Sequence, residues 1–201
     1  MRTEASGACA RTLRRMERRI RGGNISVVVR ARPLSRYEEA RGLSECIEVD
    51  ADGKRLVVLD PDDKMGGLDY LRLDRSRSTT YAFDRALGPE VTQSQTFDAS
   101  SSGLVGSILA GHNACCFAYG ATGSGKTFTM TGSDEQPGLV TRTLDALFDA
   151  ARATGDEYVV TCQYVEIYNE TIKDLLCPSN GLLDVREGPE GTSVAGGRPR
   201  V

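Results

Sequence analysis

The chain has 201 residues, of which 39% are hydrophobic and 26% are charged, and its formal net charge at pH 7 is -3. This balance is typical of one soluble globular domain, and it gives no overall basis for binding nucleic acid or a membrane. Seven arginines and only two glutamates fall in residues 1–23, so the rest of the chain is acidic.

We predict that residues 1–23 form a basic, flexible N-terminal extension that stays solvated. A mitochondrial transit peptide is the alternative, but Glu17 interrupts the basic run and serine is scarce in it. No apolar run in the chain is long enough to span a membrane.

The six cysteines contain no C-x-x-C pair and have no histidine at ligand spacing, so they predict neither a zinc site nor a disulfide framework. Cys115, Cys116 and Cys162 lie in apolar, strand-like runs, where we expect reduced cysteine to act as a small hydrophobic side chain. This usage indicates a reducing, intracellular compartment.

The first predicted elements are strands. Residues Ile25 to Pro33 are rich in β-branched side chains and end at a proline, which predicts a strand with a sharp stop. From Glu45 to Asp74, short apolar runs alternate with turns such as Asp52-Gly53 and Gly66-Gly67, which predicts small hairpins. Thr80 to Asp84 predicts another short strand.

A long amphipathic helix is predicted from Thr92 to about Gly111, because four apolar side chains share one helical face: Phe97, Leu104, Val105 and Ile108. The apolar run from Ala114 to Tyr119 then predicts a short buried strand. After a polar break from Gly132 to Gly138, a second helix is predicted from the spacing of Val140, Leu144, Leu147 and Ala151.

A complete G-x-x-x-x-G-K-[ST] phosphate loop lies between these elements, with the sequence Gly120-Ala121-Thr122-Gly123-Ser124-Gly125-Lys126-Thr127. Its glycines allow a tight turn in which backbone N–H groups converge on a nucleotide phosphate. Lys126 would contact the β- and γ-phosphates and the Thr127 hydroxyl would ligate Mg²⁺. Because a predicted strand precedes the loop and a helix from Lys126 follows it, we interpret it as a nucleotide site rather than a chance glycine-rich turn.

The remaining predicted elements are a strand from Tyr158 to Tyr168, with Tyr164 and Tyr168 in the core, and a short helix from Glu170 to Leu176. A final hairpin is predicted from Leu183 to Arg186 and from Thr192 to Val194. Strands and helices interleaved around a phosphate loop predict an α/β three-layer fold.

No catalytic residue is predicted. His112 is the single histidine and has no nucleophile arranged around it in the sequence. Glu166 and Glu170 are interpreted as structural carboxylates near a strand end, without an acid–base role.

Several further stretches occur in a characteristic order: Arg30-Ala31-Arg32-Pro33, Tyr81-Ala82-Phe83-Asp84 with Thr92-Gln93, Gly111-His112-Asn113, Phe128-Thr129-Met130, Tyr164-Val165-Glu166-Ile167-Tyr168-Asn169-Glu170 with Asp174-Leu175-Leu176, and Leu183-Asp184-Val185-Arg186-Glu187. Together with the phosphate loop, these stretches resemble the N-terminal part of the kinesin motor domain. The resemblance covers residues 24–196, and residues 197–201 diverge from the family pattern.

The resemblance implies a three-layer P-loop NTPase fold of the kinesin motor type. It implies that Arg30, Arg32 and Pro33 bracket the adenine of ATP, with Phe128 on its other side, and that Mg²⁺ accompanies the nucleotide. It also implies microtubules, built of tubulin, as the partner, and a location in the cytoplasm on the cytoskeleton. The sequence Gly120-Ala121-Thr122 has alanine where most of the family has glutamine. In this it resembles the plus-end-directed, length-controlling subfamily.

The family hydrolyses ATP with two switch loops, spelled roughly N-x-x-S-S-R and D-L-A-G, and neither occurs in these 201 residues. The family's main microtubule-binding helix also comes after these loops. We therefore expect a motor-domain fragment with a truncated central sheet. The alternative is a non-hydrolysing nucleotide-binding or tubulin-associated module, whereas another P-loop kinase or GTPase would not explain the block from Tyr164 to Glu170.

Overall fold

The computed structural model describes residues 25–59, 78–188 and 191–195. It divides into two compact units, with the boundary between Gly155 and Asp156. The predictions for residues 1–23, for the Gly66-Gly67 turn and for residues 197–201 lie outside the described residues. None of the helices described is long and apolar enough to cross a membrane.

The first unit contains two small sheets. The strands are β1 (Val28–Arg30), β2 (Ile47–Val49), β3 (Arg55–Val58), β4 (Thr79–Ala82) and β5 (Arg85–Leu87). β1 and β5 pair in parallel, and β2, β3 and β4 form an antiparallel sheet in that order. The predicted hairpin with its Asp52-Gly53 turn is confirmed, and β1 is shorter than the predicted strand.

The helices described in this unit are α1 (Arg36–Ala40), α2 (Gln93–Ala99), α3 (Ser102–Leu109), α4 (Lys126–Met130) and α5 (Leu139–Thr154). The predicted helices at α4 and α5 are confirmed. α5 ends at Gly155, whose φ of 78° gives the left-handed cap that glycine favours.

The single long helix predicted from Thr92 to Gly111 is wrong, because the chain breaks between α2 and α3. Ser100, which caps the end of α2, has φ -114° and ψ -79°. Its hydroxyl donates to the Thr96 carbonyl at 2.6 Å, and the Ser102 hydroxyl donates to the Asp98 carbonyl at 3.0 Å. Side chains that compete for backbone carbonyls weaken a helix, and three consecutive serines end it here.

α3 and α5 carry part of the core of this unit. Val105 of α3 is fully buried, and Leu139 and Ala151 of α5 are almost completely buried. At the α2–α3 break, the buried Ser101 hydroxyl accepts a hydrogen bond from the Thr143 hydroxyl of α5 at 3.1 Å. The break is therefore fixed by α5.

The buried strand predicted from Ala114 to Tyr119 is also wrong. These residues form no ladder, and the side chains of Phe117 and Tyr119 are 79% and 96% exposed. Cys115 and Cys116 are exposed as well. An apolar run becomes a buried strand only beside a partner strand, and the described part of the chain places none next to this segment.

The second unit is an antiparallel sheet of β6 (Val165–Tyr168), β7 (Thr171–Asp174), β8 (Leu182–Gly188) and β9 (Gly191–Ala195), paired in chain order. The final hairpin is confirmed. The predicted strand from Tyr158 is shorter, and the core positions predicted for Tyr164 and Tyr168 are wrong because both side chains are exposed.

The helix predicted from Glu170 to Leu176 is wrong, since this segment contains β7. Asn169 and Glu170 have φ values of 46° and 58°, the left-handed pair of a two-residue hairpin turn. That turn sets Tyr168 opposite Thr171 and directs the chain back along β6. The buried Asp174 then ends β7 by accepting hydrogen bonds from the backbone N–H groups of Leu176 and Cys177 at 2.9 and 3.0 Å.

Candidate nucleotide-binding site

The phosphate loop turns directly into α4. Gly125, the residue before α4, has a φ of 91°, and a side chain there would be strained. At the other end of the loop, Gly120 has a φ of 157°, and a Cβ there would lie 2.6 Å from the Ser124 Oγ, so a larger residue would force the Ser124 side chain to move. Residues 120–124 of the loop are exposed, so their backbone is accessible to a ligand.

The two polar side chains at the start of α4 lie beside this loop. The Lys126 ammonium donates hydrogen bonds to the carbonyls of Gly120 at 3.0 Å and Ala121 at 2.9 Å, so its charge lies over the loop. The Thr127 side chain is exposed and makes no hydrogen bond to any described residue. Its hydroxyl is thus available to a metal ion bound with a phosphate.

A cavity of about 380 Å³ opens next to the loop, a volume within the range of small-molecule sites. Residues 121–124 of the loop line one side, and Arg30 and Arg32 line another. The remaining walls are Ala31, Leu34, Glu38, Pro89 and residues 44–47. The structure therefore brings together six of the predicted site residues around one cavity.

The other predicted site residues lie beside the cavity without lining it: Pro33, Gly120, Gly125, Lys126, Thr127 and Phe128. Pro33 is exposed, and its carbonyl accepts a hydrogen bond from the Arg32 guanidinium at 3.0 Å. A Cβ built on Gly125 would lie 4.0 Å from the Arg32 Cβ, so the segment that follows β1 runs within van der Waals reach of the loop.

Arg32 is paired with a carboxylate. Its guanidinium donates to both Glu38 oxygens, at 2.6 and 2.7 Å, and Glu38 also accepts from the backbone N–H and hydroxyl of Ser35 at 2.7 and 2.8 Å. The bond to Arg32, followed by those to Ser35, holds the pKa of Glu38 well below its usual range, and the pKa of Arg32 is raised. This pair was missed by sequence reasoning, although Ser35-x-x-Glu38 is a capping-box signature.

Arg30 is held by protein groups on three sides. Its guanidinium donates to the Gln93 side-chain oxygen at 2.8 Å, to the Thr129 hydroxyl at 3.1 Å and to the Val91 carbonyl at 3.2 Å. The same group lies over the ring of Phe128, 5.4 Å from its centroid, and burial lowers the pKa of Arg30. Sequence reasoning missed Gln93 and Thr129 as members of this network.

The described residues contain no group of three or more His, Cys, Asp or Glu side chains that could hold a metal ion. His112 is exposed, as are Glu166 and Glu170. Glu166 lies opposite Lys173 across β6 and β7, where opposite charges stabilise a sheet.

The family model of the kinesin motor domain matches residues 30–199. Kinesin-like protein KIN-8B of Arabidopsis thaliana is 44% identical over 175 residues, which cover 86% of this chain and 21% of that protein. Kinesin-like protein KIF19 of Homo sapiens is 42% identical over 175 residues, covering 86% of this chain and 17% of the relative.

A third relative, Kinesin-like protein KIN-8A of Oryza sativa subsp. japonica, is 38% identical over 177 residues, which cover 87% of this chain and 22% of that protein. The chain therefore spans about a fifth of the length of these curated relatives. Because the family model covers most of its residues, the chain belongs to the kinesin motor domain family.

Proposed function

We propose that this chain is the ATP-binding part of a microtubule motor domain, whose full-length form couples ATP hydrolysis to movement along microtubules. The observation that carries the proposal is the phosphate loop lying across one cavity from Arg30 and Arg32, in a chain that belongs to the kinesin family. A location on the cytoskeleton and binding to tubulin follow from this function.

In the proposed site, loop amides and Lys126 hold the β- and γ-phosphates, and the Thr127 hydroxyl is a ligand of Mg²⁺. The bound metal would neutralise charge on the phosphate oxygens. Lys126 would exchange its bonds to the Gly120 and Ala121 carbonyls for bonds to phosphate, which needs only a side-chain rotation. Arg30, Arg32 and Pro33 would bracket the adenine, with Phe128 on its other side.

We also propose that β1 and β5 belong to the central sheet of a three-layer P-loop NTPase fold. Their parallel pairing supports this, since parallel strands occur almost only where helices cover both faces of a sheet. The finer layer arrangement is part of the proposal.

The nucleotide part of the proposal is tested by titrating the chain with a fluorescent ATP analogue in the presence of Mg²⁺. Lys126→Ala should weaken binding by on the order of 2–4 kcal/mol, because it removes a charge-assisted contact with phosphate. Lys54→Ala is the matched control, since Lys54 is exposed and does not line the cavity. Equal affinities for the wild type and Lys126→Ala would refute the phosphate-loop function.

The motor part is tested by phosphate release from ATP in the full-length form, because neither switch loop of the family occurs in these 201 residues. Release that rises when microtubules are added, and that is lost in Lys126→Ala, supports the motor function. Tight ATP binding without such release would favour a non-hydrolysing module instead.

A further inference from the structure

Gln93 joins three segments around the proposed nucleotide site. Its side chain is 2% exposed at the start of α2. Its amide oxygen accepts from Arg30 of β1 at 2.8 Å, and its amide nitrogen donates to the Phe128 carbonyl of α4 at 2.6 Å. A weaker contact of 3.5 Å reaches the Gln136 carbonyl in the turn after α4.

The two ends of this amide are not interchangeable. A guanidinium offers only donors and a carbonyl offers only an acceptor, so the oxygen must face Arg30 and the nitrogen must face Phe128. Glutamine is the side chain of this length that supplies both groups at neutral charge. A buried residue with this bridging pattern fixes the distance between the segments that it joins.

The Phe128 carbonyl depends on Gln93 because α4 is short. In a longer helix the N–H of Gly132 would donate to it, but here that N–H donates to the Thr127 carbonyl at 3.2 Å. Gln93 therefore takes the place of the next helical hydrogen bond. It does so two residues after Lys126, where small shifts of α4 move the phosphate loop.

We propose that Gln93 is a positioning residue of the nucleotide site, which sets the spacing between the wall formed by β1 and the phosphate-loop helix. The inference rests on the proposed function of the site. A nucleotide must fit both walls at once, whereas inorganic tripolyphosphate needs the phosphate loop alone. Gln93 should therefore affect the first ligand far more than the second.

The test uses the full 201-residue chain, with a ribose-labelled fluorescent ATP analogue and competition by inorganic tripolyphosphate. Gln93→Ala should weaken binding of the ATP analogue by about tenfold and leave the tripolyphosphate affinity within about twofold. Gln136→Ala is the matched control, because Gln136 meets Gln93 through its carbonyl only and its side chain is exposed. A purely structural defect would weaken both ligands together and would overturn the inference.

Thr129→Val provides a second variant, which keeps the side-chain volume and removes one acceptor of Arg30. This variant should weaken binding of the ATP analogue relative to tripolyphosphate, by a smaller factor than Gln93→Ala does. An unchanged ratio of the two affinities would count against the inference even if Gln93→Ala failed to fold. Lys126→Ala separates the two proposals. If it leaves both affinities unchanged, the nucleotide site itself is wrong; if it weakens both while Gln93→Ala changes neither, only the role of Gln93 is wrong.

Discussion

Gly125 connects the phosphate loop to α4, and its φ of 91° lies in the left-handed region. Gly155 has a similar φ of 78° at the end of α5, and nothing lies near a Cβ built there. We expect Gly125→Ala and Gly155→Ala each to reduce the free energy of unfolding by about 1–2 kcal/mol, because both force an alanine into that region.

Only Gly125→Ala should also weaken binding of an ATP analogue, since Gly155 lies far along the chain from the loop. Chemical denaturation and fluorescence titration of the two variants measure both effects. A loss of affinity of the same size in Gly155→Ala would show that backbone strain acts globally and not through the loop.

The residues of the phosphate loop could be predicted from the sequence because the spacing of eight adjacent residues carries the chemistry. Gln93 could not be predicted as a partner of Arg30, because the two are 63 residues apart and meet only through the parallel pairing of β1 and the position of α2. Ser35 and Glu38, by contrast, are local, and their capping-box spacing was a readable signal in the sequence, although it was missed.

At the scale of the element, α1 is a helix of five residues whose start is held by the Ser35–Glu38 box and by Arg32. The pKa of Glu38 is lower in the folded chain than its ordinary value of 4.5. The carboxylate therefore stabilises the folded state above that pH, and this contribution is lost as the pH falls through the ordinary value toward the lowered one.

We expect Glu38→Gln to lower the urea midpoint of unfolding at pH 7 and to have no effect on it at strongly acidic pH. Arg32→Gln should reduce the same pH-dependent difference, because the bond to Arg32 is the largest cause of the lowered pKa. High salt should shrink the effect, since the pair is exposed. Identical effects of Glu38→Gln at both extremes of pH would contradict this account.

Elements with strong local signals were predicted well. α5 has a clear helical period and a glycine cap, and β8 and β9 are close in sequence and pair antiparallel. β7 was mistaken for a helix because Ile172, Leu175 and Leu176 have helical spacing. The feature that makes this segment a hairpin is the left-handed backbone of Asn169 and Glu170. A two-residue turn needs that conformation, and glycine is the residue that usually adopts it.

At the scale of the whole molecule, we expect the segment from Ala114 to Tyr119 to make the chain prone to self-association. Its N–H groups make no backbone hydrogen bond to the described residues, and the large side chains of Phe117 and Tyr119 are exposed. Open, apolar, extended segments pair readily with other chains. We expect the average mass of the purified chain to rise with concentration in light scattering after size exclusion.

The double variant Phe117→Ser and Tyr119→Ser should reduce this rise, whereas Tyr37→Ser should not, because the exposed Tyr37 lies on a regular helix. Hydrogen exchange provides an independent readout. A concentration-independent monomer whose amides from Ala114 to Tyr119 exchange slowly would show that this segment is already satisfied.

The antiparallel sheet of β6 to β9 and the parallel pair of β1 and β5 can form at different times during synthesis. Each strand from β6 to β9 pairs with its neighbour in the chain, so each ladder can close as soon as the next strand leaves the ribosome. Val28 of β1 pairs with Arg85 of β5, so β1 must wait for the intervening residues. At ordinary rates of translation that delay is roughly 3–11 s, far longer than a hairpin needs to form. The valines of β1 therefore stay open to chaperones and to other nascent chains during that interval.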